Sequence, residues 1–330
     1  MHIPDGVMSP VVIIAGWLIS IPFIALAFKK VDLNTDPSKL PRLAVVAAGI
    51  FVAQMLNFPI AGGTSGHMLG AAIAFVILGR WGAIIALTLV VSLQAIMFGD
   101  GGILALGLNL LNMPVIGVAV SELVLTAVTK GRWKGNAFPI GVFAAGWCSS
   151  FVGAIAVSVQ LGSSYSMTGG AYGIPAIVSF PAMLGAHSII GIGEGLICGG
   201  VATYLMKVAP ETLHRPGRHV KGSKVKEGSY IPAIKAVAMM FLIFTIGLVF
   251  FYLFVADKPD ALEMTLGRFG VAEKSYYNAP LSYGDTYGQT LLLGMAGSLF
   301  LLLLAWAISD VLRRRKEKGA TGCSTRDSNS

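Results

Sequence analysis

The sequence is short of charge. Asp, Glu, Lys and Arg together make up 12% of its 330 residues, against roughly 25% in an ordinary soluble domain, and that shortage argues against a water-exposed fold. Cysteine is as scarce: Cys148, Cys198 and Cys323 show no Cys-x-x-Cys spacing, so neither a disulfide framework nor a thiolate metal site is indicated. No Gly-x-x-x-x-Gly-Lys-[Ser/Thr] phosphate loop occurs, so the chain itself is not expected to hydrolyse ATP. His-Glu-x-x-His and Gly-x-Ser-x-Gly are missing too, which leaves a membrane enzyme without its usual chemistry.

What is present is apolar and continuous. Hydrophobic residues reach 55% and mean hydropathy is +0.75, in runs near the ~20 residues needed to cross about 30 Å of hydrocarbon. The runs 11–28, 43–60, 81–98, 138–160, 231–255 and 289–309 are long enough to span unaided. Three more, 68–79, 103–128 and 171–206, are short or broken by Asn109, Asn112, Pro114, Pro175 and Pro181. Such breaks are tolerated at membrane depth where protein or a polar cavity satisfies the freed backbone groups. The expectation is an all-α polytopic integral membrane protein of about nine spans, with short or broken helices among them.

Net charge of +8 suggests nucleic acid in a soluble chain, but here the cations mark topology. With the C-terminus in the cytoplasm, 21 of the 24 Lys and Arg residues fall on the inner connections, leaving Lys258, Arg268 and Lys274 outside, as orientation by cationic loops requires. The N-terminus is then outside. No basic segment precedes the first apolar run and no small-residue cleavage site follows it, so the opening ten residues are expected on the mature protein. The bulky His2 is expected to protect Met1 from removal.

This topology places a chelating set outside. The Met1 amine, the His2 amide nitrogen and the His2 imidazole close two fused rings around one ion, and an all-nitrogen planar field suits Ni(II) or Cu(II) better than Zn(II). The fourth donor is His67 in Gly-Gly-Thr-Ser-Gly-His, which the span count puts on the same side. Thr64 and Ser65 flank it as candidate supporting or pathway residues, together with His187, Glu122 and Glu194, since ionisable residues inside a membrane are functional candidates by default. Structural readings stand beside these: His67 as a cap for the helix that follows, His187 as an internal hydrogen-bonding residue, Glu122 and Glu194 as caps. Asp5 and Asp100 read as outer-surface turn residues.

The residues carry a family resemblance. Met1-His2-Ile3-Pro4-Asp5-Gly6, Gly63-Thr64-Ser65-Gly66-His67, Gly99-Asp100-Gly101-Gly102 with Gly107-Leu108-Asn109 and Asn112-Met113, and Gly185-Ala186-His187 with Gly191-Ile192-Gly193-Glu194 resemble the CbiM/NikM family. These are the substrate-binding components of energy-coupling-factor transporters for cobalt and nickel. The resemblance implies a core over 1–207 of about seven spans, capture of Ni(II) or Co(II) at the outer face through the amine, His2 and His67, no organic cofactor, and partners in a transmembrane coupling subunit and ABC ATPase subunits. It implies the plasma membrane of a prokaryote, with no nucleic-acid partner.

A basic cytoplasmic linker, 208–230, with His214 and His219, precedes a two-span module, 231–330. This module resembles the companion component of the same systems, whose outer loop, here 256–287, bears Pro-Asp-Gly-Leu-Glu. The motif reads Pro259-Asp260-Ala261-Leu262-Glu263, which puts any left-handed turn at Ala261 in doubt. The planar nitrogen set and the fusion both lean to nickel. Ala44, Ala48, Gly49 and Ala53 offer a small-residue face for a coupling subunit, and internal packing explains them equally well. The competing reading is a self-sufficient proton- or ion-coupled carrier with Glu122, Glu194 and His187 as relay. Inverted repeats would favour it, and the sequence offers no convincing one.

Overall fold

The computed structural model describes residues 1–31, 39–60, 64–214, 249, 259–271, 273–274, 276–281, 286 and 288–303. The expected span 231–255, except residue 249, the linker residues 215–230 with His219, and the tail with Cys323 lie outside the described residues. The described chain is mostly helical: α1 (Pro10–Lys30), α2 (Lys39–Met55), a hairpin of β1 (Phe58–Ile60) and β2 (Thr64–Gly66), α3 (Ala71–Leu93), α4 (Leu106–Leu110), α5 (Val118–Thr129), α6 (Ala137–Met167), α7 (Ala176–Val208), α8 (Ala261–Arg268) and α9 (Gly288–Leu303). α3 runs on through a π-helical turn, Gln94–Phe98, and α4 joins α5 through another, Leu111–Gly117, which contains Pro114. Five helical stretches are long and apolar enough to cross a bilayer: Pro10–Lys30, Ala71–Phe98, Leu106–Thr129, Ala137–Met167 and Ala176–Val208.

Ala71–Phe98 is folded rather than straight. Gly79 (φ 73°, ψ 176°) leaves the helical region, and a straight 28-residue helix would separate its ends by about 42 Å. Instead Gly70 sits against Ile50 while the Phe98 ring lies 5.4 Å from that of Phe51. The segments 71–78 and 80–98 therefore run back to back, as the separate apolar runs 68–79 and 81–98 led one to expect. The freed Val76 carbonyl accepts from the His214 N–H at 2.8 Å.

The run 43–60 fares differently: its helix stops at Met55, and Phe58–Ile60 pairs with Thr64–Gly66 in antiparallel register. Pro59 cannot donate to a ladder, and the hairpin it enters carries His67 at its exit. The small residues of α2 are also turned inward, since Ala44 and Ala48 are buried within the chain. They are not an open face for a coupling subunit, and Gly49 and Ala53 are half-buried.

α6 and α7 form the longest packed pair. Close approach is made through glycine: a Cβ on Gly195 would lie 2.8 Å from the Phe143 carbonyl oxygen, and one on Gly191 would meet Trp147 at 2.9 Å. Small residues at such crossings let helix backbones approach where lipid gives no hydrophobic drive to association.

Residues 1–9 form no helix but run into the bundle as a buried thread. Ser9 caps α1, its hydroxyl accepting from the Val12 N–H, and Pro10 occupies the first helical turn, where a missing N–H costs nothing. Inward from there, the Ser9 N–H donates to the Ser164 hydroxyl, the Gly173 N–H to the Val7 carbonyl, and the Ile3 N–H to the Asn109 side-chain oxygen at 2.8 Å. The Asn109 amide returns a bond to the Ile3 carbonyl. Asp5 is no surface turn residue: it is 5% exposed, and its carboxylate accepts from the Ile103 and Ala105 N–H groups, both at 3.0 Å.

The fit of the thread is tight at Gly102, where a Cβ would fall 2.0 Å from the Asp5 carboxylate and 2.4 Å from the Asp5 nitrogen. Gly102→Ala is expected to dislodge the thread, since overpacking of this kind costs about 1–3 kcal/mol or more. The check is reactivity of the terminal amine toward an amine-selective reagent, which rises in Gly102→Ala. It stays low in Gly153→Ala, whose Cβ meets only the far end of the flexible Met1 side chain, Cε at 2.8 Å and Sδ at 3.4 Å.

Candidate metal centre

The thread delivers its first atoms to the interior. Met1 is 7% and His2 8% exposed, and the Met1 side chain touches Gly153, 16 residues along α6. The amine lies 2.9 Å from His67 Nε2 and 3.3 Å from an Asp260 carboxylate oxygen. Met1, Ser65, His67, Ser150, His187 and Asp260 line a cavity of about 10 Å³, room for about one water-sized sphere. A larger cavity of about 320 Å³ lies beside the thread, lined by Pro4, Asp5, Gly101, Glu273, Lys274 and Tyr277 among others.

His67 is held by the loop between β2 and α3. Its Nδ1 lies 3.0 Å from the Met68 carbonyl, which accepts only from Nδ1–H, so Nε2 carries the lone pair that faces the Met1 amine. Burial first, then the Met1 ammonium and His2, lower its pKa to about 3. The ring is neutral at physiological pH, the form that binds metal. Further along this loop, the Leu69 and Gly70 N–H groups both donate to the Glu194 carboxylate, the latter at 2.8 Å, and the Gln54 amide donates to the Leu69 carbonyl at 2.7 Å. Glu194, fully buried on α7, thus caps the start of α3, where Gly70 itself offers no side chain.

Asp260, known from the sequence only as part of the companion motif, stands beside the Met1 amine. It is the N-cap of α8 in a capping box with Glu263, a motif that satisfies two otherwise unpaired donors reciprocally. The Pro259 carbonyl accepts from the Ser65 N–H and the Thr64 hydroxyl, both at 2.9 Å, so Thr64 and Ser65 anchor the companion segment to the hairpin. Ala261 opens α8 as an ordinary helical residue, and the glycine missing there is not needed for a left-handed turn. Burial pushes the Asp260 carboxyl up, but the Met1 ammonium and the Glu263 N–H together hold it below its usual value.

The candidates separate into near and far. His187 is 3% exposed, lines the Met1–His67 cavity and lies with Nδ1 2.8 Å from the Met183 carbonyl. Glu122 instead pairs with Arg80, at the far end of the 71–78 segment from His67. The His2 ring stacks on His67, centroids 5.0 Å apart and planes 9° from parallel. Its Nδ1 lies 2.8 Å from an Asp100 oxygen, and its Nε2 is buried with no hydrogen-bond partner. Asp100 is therefore a partner of the thread as well as a turn residue.

Residues 2–212 match the family described as the cobalt uptake substrate-specific transmembrane region, CbiM. A protein of Archaeoglobus fulgidus named for fused nickel transport is 32% identical over 320 residues, covering 95% of this chain and 99% of the relative. The fused nickel transport protein NikMN of Rhodobacter capsulatus is 35% identical over 235 residues, covering 67% of this chain and 68% of that one. The crystal structure of a truncated transition metal transporter superposes with a TM-score of 0.58 at 34% identity, over 62% of this chain and 98% of that chain.

Proposed function

The chain belongs to the CbiM family, with a NikN-like module fused behind it, and from that premise we propose that it captures Ni(II) or Co(II) for an ATP-driven importer of the energy-coupling-factor type. The observation that carries the site is the 2.9 Å between the Met1 amine and His67 Nε2. Bonds of about 2.0–2.1 Å from metal to nitrogen put adjacent corners of a planar square about 2.8–3.0 Å apart. Two of the four proposed donors thus already stand at the separation of neighbours in such a square. Among the described residues no three His, Cys, Asp or Glu side chains gather as a metal-holding group. The main-chain nitrogens of Met1 and His2 fill that gap in the proposed set.

In this reading the ion is held by the Met1 amine, the His2 amide and imidazole, and His67. The protein's own residues do three things. The Asn109, Gly102 and Asp5 bonds fix the thread, so that little chain entropy remains to be lost on chelation. The Met68 carbonyl fixes the bare nitrogen of His67, and Asp260 supplies a countercharge beside a cationic centre. Nickel is favoured because an all-nitrogen planar field suits it and because the relatives that carry the fused module are named for nickel. The site is reached from outside the plasma membrane, with the N-terminus outside, the C-terminus in the cytoplasm and about nine spans between, and the bound ion passes inward when the partner complex turns over ATP.

A self-sufficient proton-coupled carrier finds less support, because the relay it needs has its carboxylates engaged elsewhere: Glu122 with Arg80, Glu194 with two backbone N–H groups. Reconstitution in vesicles decides between them. Nickel uptake is expected to require ATP together with a transmembrane coupling subunit and ATPase subunits. Uptake by this chain alone under a proton gradient would overturn the proposal.

A further inference from the structure

The His2 imidazole is the one side chain at the centre whose present posture does not suit its proposed task. The ring that closes through the His2 amide, Cα and Cβ must end at Nδ1, yet Nδ1 is the atom engaged by Asp100 at 2.8 Å. Meanwhile Nε2, in a side chain more than nine-tenths buried, has no partner. A carboxylate accepts only from a protonated nitrogen, so Asp100 selects the Nδ1–H form, which cannot chelate. A half-turn of the ring about Cβ–Cγ exchanges Nδ1 with Cδ2 and Nε2 with Cε1. It brings Nε2 beside the place that Nδ1 now occupies, toward Asp100, and frees Nδ1.

We propose that Asp100 is the positioning residue of His2: it holds Nδ1–H while the site is empty and takes Nε2–H once metal is bound. The inference rests on the four-nitrogen reading above. In the exchange the Nδ1 proton leaves to water and Nε2 gains one from water, so that only the nitrogen presented to the carboxylate changes. A histidine whose far N–H is held by a carboxylate is oriented and made a better donor, and loss of such a partner costs about 10- to 100-fold in metal affinity. The orphaned Nε2 is the independent sign of the second posture, because a buried donor or acceptor left unpaired is costly, and the half-turn removes that cost once the metal takes Nδ1.

Asp100 is placed to make this exchange. It sits in Gly99-Asp100-Gly101-Gly102, where Gly99 and Gly101 take positive φ of 69° and 90°, and a Cβ on Gly101 would stand 3.3 Å from the His2 Cβ. The glycines let this loop lie close against His2, and the Asp100 side chain remains 26% exposed, with room to follow the ring.

The test uses the full chain with a free N-terminus and a C-terminal tag, Ni(II) as probe, and ¹⁵N-labelled histidine, with the His2 signal assigned by its loss in His2→Ala. Wild-type protein is expected to show Nδ1–H at His2 without metal and Nε2–H with it. Asp100→Asn is expected to bind Ni(II) 10- to 100-fold more weakly and to lose the Nδ1–H preference in the metal-free state, while Asp100→Glu restores most of the affinity. Wild-type affinity in Asp100→Asn overturns the assignment, as does a loss in Asp100→Glu as large as that in Asp100→Ala, which would mark a turn residue only. If His2→Ala loses binding while Asp100→Asn keeps it, the role of Asp100 alone falls. If His2→Ala binds like wild type, the four-nitrogen reading falls with it.

Discussion

His67→Ala lowers nickel affinity by roughly 60- to 700-fold, and one residue added ahead of Met1 lowers it by at least as much. The magnitude follows from donor count. A four-ligand structural metal site is worth about 10–16 kcal/mol at neutral pH, so one donor in four carries about 2.5–4 kcal/mol, and each 1.4 kcal/mol is a factor of about ten in affinity. The geometry makes the extension worse than the loss of one ligand. Met1 is 7% exposed and its amine is shared between His67 and Asp260, so an extra residue must either fill the 10 Å³ cavity or draw the thread outward. Drawing it outward breaks the bonds of Ile3 with Asn109 and Gly102. Competition binding on protein with the extension left in place is the measurement, and undiminished affinity would show that the amine is no ligand.

Glu194→Ala destabilises the empty protein by about 2–6 kcal/mol, because two backbone N–H groups in the bundle interior lose their acceptor at about 1–3 kcal/mol each. The groups are those of Leu69 and Gly70, two and three residues beyond His67. The same substitution is therefore expected to weaken metal binding, since the loop that presents Nε2 loses one of its two fixed points, leaving the Gln54 bond to the Leu69 carbonyl. Glu194→Gln keeps one acceptor oxygen and falls between. Thermal unfolding in detergent and Ni(II) titration of the same samples check both effects, and a Glu194→Ala protein that melts like wild type would remove the cap from the account.

The parts of this molecule legible in its sequence are those written in contiguous residues. Apolar runs of spanning length locate α1, α6 and α7, and Arg80 closing a 12-residue run marks where the backbone turns at Gly79. Met1, His2 and His67 suggest themselves as a set because main-chain chelation is a property of neighbouring atoms and because counting spans puts the His67 loop beside the thread, and the structure brings the three together. What was not legible depends on partners far apart. Asp5 has the look of a turn residue, and nothing near it signals that Ile103 and Ala105, about a hundred residues on, present N–H groups to its carboxylate. Asp260 lies 259 residues from the amine it pairs with. The run 43–60 is apolar but for Gln54 and Asn57, and hydropathy alone does not reveal that its last three residues form a strand. Glu122 and Glu194 have similar surroundings in sequence, and only the fold assigns one to Arg80 and the other to the His67 loop.

The buried thread also sets an order of assembly. Met1 is made first, but its partners are residues 67, 150, 187 and 260, drawn from nearly the whole length of the chain. At about 5–20 residues per second of synthesis, residue 187 emerges on the order of ten seconds or more after Met1. During that interval the amine has neither α7 to lie against nor Asp260 to pair with. The thread is then a late-docking piece, seated only when the helices that wall its channel are in the membrane. A nascent chain that has displayed His2 from its first seconds has no finished site in which to trap an ion until synthesis has reached the companion module.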